Sequence, residues 1–290
     1  MQRKTTRISI LSKEGELKMI DCGVHTDLSS EDYHADKDSI SRSSIMDFKK
    51  SPLYYWKKHL NPARPIEEPK PSWIFGSAFH HFVLETHTFY DHYMIKPDKV
   101  LLKEVGRAEY DEVEEERARC EKSDRIKLSE NDFFRISEMY DALKYHYKAP
   151  ELILNAIYES SYFWRDAESN VLCKARPDIL RDRIYIDLKT CSDASEDAFQ
   201  RSMAMYGNHI QAAMVVDGVF ATTGKQIDIC VNICIETSYP YSIGIYVIDE
   251  LAIKTGRKEY KRILLDLKHA IRHNEWDDFP LRTVGLPRWY

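Results

Sequence analysis

The sequence predicts a mixed α/β fold with a helical N-terminal extension. Up to about residue 147, apolar residues recur mainly at helical spacing, in segments separated by polar or proline-rich stretches. From about Ile157 the period changes to two, which is typical of strands, and a pair of helical segments then separates two groups of strands. This order of elements favours a mixed central sheet flanked by helices.

The N-terminal half is predicted to be mainly helical. Residues 1–20 have the pattern of a short hairpin turning around Gly15, and with the polar loop that follows they form an extension over residues 1–29. Ser41 or Ser43 is expected to cap the first helix, which ends near Ser51-Pro52. Four of the eleven prolines lie in residues 61–71 and predict an extended linker. Further helices are predicted over residues 73–85, 104–125 and 131–147.

The second half carries the predicted sheet. Strands are expected over residues 157–164, 171–176 and 184–190, with a tight polar turn at Arg181-Asp182-Arg183 before the last of them. Two helices then follow over residues 194–206 and 209–221, two strands over residues 227–235 and 242–248, and a basic helix over residues 249–272. We therefore expect one domain over residues 30–290.

Composition limits the class of protein. The formal net charge is −5, from 42 Lys and Arg against 47 Asp and Glu, which excludes a uniformly basic coat protein of nucleic acid but permits a local basic groove. No apolar run follows the basic N-terminus, and no stretch approaches the ~18 apolar residues of a membrane span. Six scattered cysteines do not form a disulfide framework. The sequence thus predicts a cytoplasmic protein without a membrane partner.

The residues most informative about chemistry lie around Asp178 and Asp187. A turn centred near Asp182 brings these two carboxylates almost opposite each other across an antiparallel pair. Because side chains alternate along a strand, Asp187 and Lys189 share a face while Leu188 points into the core. Two close carboxylates repel unless a cation neutralises them, and Mg²⁺ prefers oxygen ligands. Such a metal polarises a phosphoryl oxygen, while the lysine orients or deprotonates the attacking water.

Taken alone, the pattern favours a surface hairpin with an Asp–Lys pair, because Pro-Asp followed by Asp-x-Lys is a weak motif. Other motifs occur with it in a fixed order: opening helices over residues 40–54, a Gly76-x-x-x-His80 helix, strand segments 159–164 and 172–178, Asp187-Leu188-Lys189-Thr190, and a helix over residues 206–211. With these, residues 30–290 resemble the PD-(D/E)xK nuclease superfamily and, more narrowly, the exodeoxyribonuclease VIII (RecE-type) family.

The resemblance implies a set of metal ligands. Asp178 and Asp187 would ligate the metal, with the backbone carbonyl of Leu188 as a further ligand. His80 would be a ligand contributed by the N-terminal helix, and Glu159 an auxiliary ligand or a neighbour of the ligands. Without the resemblance, His80 fits a satisfied core histidine, and Glu159 fits an ordinary exposed glutamate.

The resemblance also implies roles for two residues that do not bind the metal. Lys189 would position the attacking water, and Gln211 would contact the scissile phosphate or orient the lysine, although an exposed position on an amphipathic helix explains Gln211 as well. Candidate phosphate contacts lie on the opening and last helices, where solvated helix faces are the alternative: Lys49, Lys50, Lys57, Lys58, Lys254, Arg257, Lys258, Lys261 and Arg262.

The activity that the resemblance implies is Mg²⁺-dependent degradation of linear double-stranded DNA from its 5′ ends, with Mn²⁺ as a possible substitute. It would leave 3′ overhangs for a RecT-type single-strand annealing protein, in phage or prophage recombination, and the enzyme would be a ring-shaped homo-oligomer. Three alternatives stay open: a single-strand-specific or endonucleolytic enzyme of the same core, a catalytically silent DNA-binding module, and a metal-dependent enzyme acting on another substrate.

The sequence departs from related nucleases in two places. They commonly carry Gln-x-x-x-Tyr, whereas Val215 stands four residues after Gln211, with Tyr206 as a candidate replacement. Some relatives hold an iron–sulfur cluster through a Cys-Pro in the opening helix and a distal group of cysteines. Ser51-Pro52 stands at the first position, and the last cysteine is Cys234. A cluster needs four thiolates at suitable spacing, so we expect none.

Overall fold

The structure is a computed structural model that describes residues 8–11, 17–65, 67–100 and 103–286, with only the backbone described at residues 8–11 and 17–19. Its strands are β1 (Ile8–Leu11), β2 (Leu17–Ile20), β3 (Gly23–His25), β4 (Tyr93–Lys96), β5 (Ile126–Ser129), β6 (Ile157–Tyr158), β7 (Ser161–Arg165), β8 (Leu172–Ala175), β9 (Ile179–Arg181), β10 (Ile184–Cys191), β11 (Ile229–Glu236) and β12 (Ile243–Val247).

The α-helices are α1 (Ser30–Ala35), α2 (Arg42–Lys50), α3 (Pro52–Tyr55), α4 (Pro71–Leu84), α5 (Phe89–His92), α6 (Arg107–Glu121), α7 (Glu130–Tyr145), α8 (Ala149–Ile153), α9 (Glu196–Tyr206), α10 (Asn208–Thr223) and α11 (Glu250–His273). A π-helical turn, Trp56–Leu60, continues α3, and a 3₁₀ turn, Thr86–Thr88, follows α4.

A five-stranded mixed sheet forms the centre of the fold, in the order β12-β11-β10-β9-β6. Only β10 and β11 run parallel to each other, and the other pairs are antiparallel. Strands β9 and β10 form the predicted hairpin, with Asp182 in the left-handed region at φ 52° and with Ile179 paired to Ile186. The next pair in this register is Asp178 and Asp187.

A second, three-stranded sheet has the order β3-β7-β8. The chain leaves the central sheet after β6 and enters the three-stranded sheet at β7, and it returns after β8 to enter the central sheet at β9. The connecting residues are Glu159-Ser160 on the way out and Arg176-Pro177-Asp178 on the way back. The chain therefore crosses between the two sheets twice.

Helices cover both faces of the central sheet, which confirms the predicted fold class. Helices α10 and α11 pack on the face that carries Tyr185 and Cys230. Helices α4 and α7 pack on the opposite face, against Ile186, Leu188 and Ile233. The alternation of these residues along β10 and β11 gives each face of the sheet its own apolar core.

The opening helices follow their predicted signals. The Ser41 side chain accepts a hydrogen bond from the backbone N–H of Ser44 and caps α2, and α2 ends at Lys50, with Ser51 as its C-cap. The Ser51 side chain in turn caps α3, which begins at Pro52. Because serine at an N-cap satisfies a backbone donor and proline needs none at the first helical position, this local sequence determines both boundaries.

The prediction of a single strand over residues 157–164 is wrong. It is interrupted at Glu159, whose φ of 49° lies in the left-handed region, and its two parts belong to different sheets. The period-two pattern continues through the break because strands lie on both sides of it. Four segments were also not predicted as strands, β3, β4, β5 and β9, because segments of three or four residues are too short to establish a period.

The N-terminal strands β1 and β2 pair antiparallel, which confirms the predicted hairpin, while its turn around Gly15 lies outside the described residues. Strand β3 pairs with β7, so part of the predicted extension joins the three-stranded sheet. Within the described ranges, no helix is both long enough and apolar enough to cross a bilayer.

Candidate active site

The two predicted carboxylates lie at the centre of the candidate site, on the β9–β10 hairpin. Asp187 is 1% exposed and Asp178 is 9% exposed. The backbone N–H of Leu188 donates to Asp178 Oδ2 at 2.8 Å, which connects the two strands at this level. The predicted role of the Leu188 carbonyl as a metal ligand stays a prediction.

Asp187 is surrounded by donors. Its Oδ1 accepts hydrogen bonds from the Tyr185 hydroxyl at 2.9 Å and from Gln211 Nε2 at 2.8 Å. Its Oδ2 accepts one from Asn232 Nδ2 at 2.8 Å and lies 2.7 Å from Lys189 Nζ. Because a carboxylate has about four acceptor positions, these contacts occupy most of them and hold the Asp187 carboxylate in one orientation.

Asp178 has different neighbours. His80 Nδ1, on α4, lies 3.6 Å from Asp178 Oδ2. One ligand atom from each of His80, Glu159 and Asp178 lies within 4.8 Å of the others, and across the described ranges this is the one group of three His, Cys, Asp or Glu side chains that is close enough to hold a metal ion. The His80 side chain is 26% exposed, so it is not a core histidine.

The pKa values of the acidic residues show how much negative charge is concentrated here. Burial and the neighbouring Asp178 raise the pKa of Glu159 to about 7, and Arg176 opposes this rise. Burial and the neighbouring Asp187 raise the pKa of Asp178, with His80 and Lys189 opposing. Such shifts arise where carboxylates are close together and desolvated, and a bound cation would reverse them.

Lys189 and Gln211 lie together, as the resemblance implies. Lys189 Nζ donates to Gln211 Oε1 at 3.5 Å, and the amide group of Gln211 bridges the lysine and Asp187. Four residues later on α10, Val215 is buried in the core. Tyr206, the candidate replacement for the motif tyrosine, is 57% exposed at the end of α9.

A groove of about 1360 Å³ opens onto the site. His80, Glu159, Asp178 and Gln211 contribute to its wall, and residues 26–44 form another part of the wall. The cations in that wall include Lys37, Arg42, Lys58 and Arg176, and several serines of α1 and α2 lie beside them. A groove with hydroxyl and cationic groups next to an acidic centre can accept a phosphate-containing chain.

Sequence reasoning missed three residues of the site: Tyr185, Asn232 and Arg176. Tyr185 precedes Asp187 by two residues on β10, so strand alternation alone could have placed its hydroxyl on the same face. Asn232 is the single polar residue in the apolar run from Ile229 to Ile235, and a buried polar residue in such a run needs a partner. For Arg176, the sequence carries no such signal.

The donor set fits a divalent cation. Two carboxylates supply the oxygen ligands that Mg²⁺ and Mn²⁺ prefer, and the imidazole of His80 adds a nitrogen ligand that is more usual for transition metals. The raised pKa values of Glu159 and Asp178 support this fit, because they reflect mutual repulsion that a cation would relieve.

The mixed sheet between helices, with this hairpin and a histidine-bearing helix beside it, defines the class of the protein as a PD-(D/E)xK-type domain. Residues 41–279 match the family described as "PDDEXK-like domain of unknown function (DUF3799)". The chain belongs to this family, and through it to the PD-(D/E)xK superfamily, so that part of the sequence-based prediction is confirmed. The enzymes of this superfamily generally use divalent metals.

The fold is also similar to a crystal structure of a protein from Eubacterium rectale named "Putative exonuclease". The two chains are 15% identical, the TM-score is 0.56, and the similarity covers 89% of this chain and 97% of the other. At this identity the similarity concerns the fold. A search of curated proteins finds no match to this sequence.

Proposed function

We propose that this protein is a metal-dependent exodeoxyribonuclease of the RecE type, which degrades linear double-stranded DNA from its 5′ ends and leaves 3′ overhangs. The observation that carries the proposal is the meeting of two groups at Asp178. His80, Glu159 and Asp178 form one group at the groove wall, and the Asp187–Lys189 ion pair lies next to Asp178 on the same hairpin. Family membership supports the nuclease class, and the exonuclease details come from the sequence resemblance.

The proposed cofactor is Mg²⁺, with Mn²⁺ as a substitute. His80, Glu159 and Asp178 would hold the first ion, and Asp187 and the Leu188 carbonyl would complete the site. When bound, the ion supplies Lewis-acid polarisation of the phosphoryl oxygen and lowers the pKa of the attacking water. The histidine ligand favours activity with Mn²⁺ at least as high as with Mg²⁺, because imidazole is a better ligand for the transition metal.

The chain's own residues orient the reactants. Asp187 and Gln211 restrain the Lys189 ammonium from two directions, so its remaining protons point along a limited set of directions. Such a fixed donor can hold the oxygen of the attacking water or stabilise the charge that develops on the phosphate. Fixing the lysine before the substrate arrives removes part of the entropic barrier to the reaction.

The surface charges support a DNA path through the groove and not over the last helix. Most of the basic residues predicted to contact phosphate on that helix form ion pairs with neighbouring acids: Lys254 with Glu250, Arg257 with Asp217, Lys261 with Asp166 and Arg262 with Asp266. Lys49 and Lys58, on the opening helices, also have acidic partners, Glu259 and Asp47. Of these cations, Lys58 contributes to the groove wall, together with Arg42 and Lys37.

The wider role belongs to the same proposal and rests on the resemblance alone. A ring-shaped homo-oligomer would enclose the DNA end, with basic surfaces toward the channel and acidic ones outside. The 3′ overhang would pass to a RecT-type single-strand annealing protein in phage or prophage recombination.

The test uses linear duplex DNA with 5′ phosphates, incubated with the protein in Mg²⁺, in Mn²⁺ and in EDTA, beside a covalently closed circle of the same sequence. We expect loss of the linear DNA only when a metal is present and the circle to stay intact. Phosphorothioate linkages at the 5′ ends should block digestion, whereas the same linkages at the 3′ ends should not.

Other outcomes would select the alternatives. Cleavage of the circle indicates an endonuclease, and digestion of only single-stranded DNA indicates a single-strand-specific enzyme. Binding of DNA without digestion in either metal would overturn the enzymatic proposal and leave a binding module of the same fold.

A further inference from the structure

The two crossings between the sheets lie side by side, and each carries a residue of the site. Glu159 follows β6 on the way out of the central sheet, and Asp178 precedes β9 on the way back. The backbone N–H of Glu159 donates to the backbone carbonyl of Asp178 at 3.1 Å. The two crossings are therefore joined directly, which brings two acidic side chains of different segments to one point.

The backbone at Glu159 has an unusual conformation for its residue type. Its φ of 49° lies in the left-handed region, where residues with a Cβ are uncommon. The strands on both sides and the hydrogen bond to Asp178 hold it there. Such conformations cluster at functional sites because the surrounding structure must impose them. At Glu159 the left-handed turn coincides with a side chain that lies on the groove wall.

Arg176, on the return crossing, holds the Glu159 side chain. Its Nε donates to Glu159 Oε2 at 2.7 Å, and the two side chains are 9% and 20% exposed. Its Nη1 donates to the Leu28 carbonyl at 2.9 Å and to Ser161 Oγ at 3.3 Å. The guanidinium carbon lies 5.7 Å from the centre of the Tyr33 ring. Arg176 is thus restrained by several elements, and a restrained arginine fixes the carboxylate that it binds.

The charges around the site are arranged in the same way. Of the three carboxylates, Asp187 has Lys189 as a close cation and Glu159 has Arg176. Asp178 lies between them and has only His80 near it among the ion-pair partners described. Each outer carboxylate therefore has a fixed cation of its own, and the excess negative charge remains at the centre, where an added cation would be attracted.

We propose that Arg176 is a positioning residue for a divalent cation: it holds the Glu159 carboxylate beside His80 and Asp178, so that Glu159 acts as a direct metal ligand. The inference rests on the proposed function, since it names the third ligand of that site and the residue that orients it. Arg176 binds one oxygen of Glu159, and the acceptor positions of the other oxygen can face the cation. Partners of this kind orient ligands in many metal sites.

The test measures Mn²⁺ binding to the full chain without DNA, by isothermal titration calorimetry and by the electron paramagnetic resonance signal of free Mn²⁺. We expect Glu159→Gln and Arg176→Gln each to weaken Mn²⁺ binding by about 10–100-fold. Because Arg176 acts through Glu159, the double variant should bind Mn²⁺ no more weakly than Glu159→Gln alone. Arg176→Lys keeps the charge but not the fork of donors, so its affinity should be intermediate.

Two controls separate positioning from a general structural role. Lys174, on the neighbouring strand β8, anchors the carbonyls of Tyr33 and Asp36, so Lys174→Met loosens the same segment that Arg176 contacts at Leu28. Arg165→Gln removes a cation from β7. The Arg165 guanidinium donates a hydrogen bond to the Asn170 carbonyl. Both variants should bind Mn²⁺ like the wild type, and melting curves should establish that every variant is folded.

Several results would overturn the inference. If the losses of Mn²⁺ affinity in Glu159→Gln and Arg176→Gln add up in the double variant, Arg176 is a structural residue only. The same holds if Lys174→Met loses as much Mn²⁺ affinity as Arg176→Gln. If Arg176→Gln does not fold, Arg176→Lys replaces it. Its Mn²⁺ affinity is then compared with and without Glu159→Gln, and the second substitution should again add no loss. Mn²⁺ binding that is lost in Asp178→Asn but unchanged in Glu159→Gln would overturn this inference and leave the proposed nuclease intact. No Mn²⁺ binding by the wild type would overturn both.

Discussion

The two sides of the site differ more than their positions in one hairpin suggest. On the sheet side, Asp187 lies among Tyr185, Gln211, Asn232 and Lys189 and is almost completely buried. On the seam side, where the chain crosses between the sheets, Asp178 lies beside His80 and Glu159. On the sheet side, nearly every acceptor position of Asp187 has a donor. On the seam side, several groups that can accept hydrogen bonds or bind a cation lie close together.

This difference assigns different physical tasks to two residues of the same type. A carboxylate surrounded by fixed donors is already stabilised as an anion and serves as a rigid anchor, here for Lys189. A carboxylate close to other acids and short of donors is destabilised as an anion, and an added cation relieves that cost. The seam side therefore gains more from a bound metal. Asp187 on the sheet side holds the lysine, and it would ligate the metal only in exchange for one of its present donors.

The largest expected effect comes from Asp178→Asn. Loss of this ligand should reduce the rate of metal-dependent DNA hydrolysis by about 1000-fold. The ion stabilises the transition state by several kcal/mol, and each 1.36 kcal/mol of activation free energy changes the rate tenfold. The melting temperature of the variant should nevertheless be higher by roughly 2–4 °C, because the unfolding free energy increases by about 1 kcal/mol.

The sign of this stability change follows from the pKa of Asp178, which burial and Asp187 raise in the folded protein. The folded protein binds the proton more tightly than the unfolded chain does, so above the ordinary pKa of an aspartate the charged carboxylate costs stability. Asparagine removes that cost at neutral pH. Asp182→Asn, on the exposed turn of the same hairpin, is the matched control and should change neither property. A lower melting temperature in Asp178→Asn would contradict the comparison.

A second variant, Lys189→Met, tests the sheet side. It keeps the length of the side chain but removes the ammonium, and DNA hydrolysis should fall by about 100-fold, the lower end of the range for a positioned proton donor or acceptor. Mn²⁺ binding measured by calorimetry should persist, because His80, Glu159 and Asp178 are unchanged. Lys225→Met, in an exposed loop, serves as the control. Joint loss of metal binding and activity would mean that the two sides do not have separate tasks.

Asn232→Ala should act mainly on stability. It removes a buried donor from the charged Asp187, and the free energy of unfolding in urea should fall by about 3 kcal/mol. Asn131→Ala, at an exposed position in the first turn of α7, should change it by less than about 0.5 kcal/mol. An unchanged unfolding free energy for Asn232→Ala would show that Asp187 does not need its donors.

The smallest effect is expected for Tyr185→Phe, which removes only a hydroxyl. Its partner is a carboxylate, so the unfolding free energy should fall by about 1.5 kcal/mol, while Tyr246→Phe, whose hydroxyl donates to the neutral carbonyl of Ala194, should lose about 0.5–1 kcal/mol. Equal losses would indicate that the charge on Asp187 adds nothing to the hydrogen bond. The comparison needs the same urea series for both variants.

Much of the fold could be predicted because its signals are local. The turn at Asp182 and the alternation along β10 determine that Asp178 and Asp187 face each other, and Ser41 determines where α2 begins. The predicted strand over residues 157–164 failed for the opposite reason. Its break at Glu159 exists because the two halves pair with different sheets, and periodicity carries no information about pairing partners.

The candidate site could be predicted only in part, for the same reason. Asp178, Asp187 and Lys189 emerge from the spacing of one hairpin, whereas His80 and Gln211 required the family resemblance. Asn232 lies beside Asp187 because β11 pairs parallel to β10 in a register that no local signal reports. The contact of Arg176 with Glu159 depends on two crossings of the chain lying next to each other.

The class of fold and the hairpin that carries two carboxylates and a lysine follow from local sequence, because strand period, turn residues and helix caps act over a few neighbouring residues. Which carboxylate is surrounded by donors and which lies among acceptors follows from the packing of distant segments. That difference depends on side chains from α4, α10, β11 and the two crossings, and these meet only when the helices pack on both faces of the sheet.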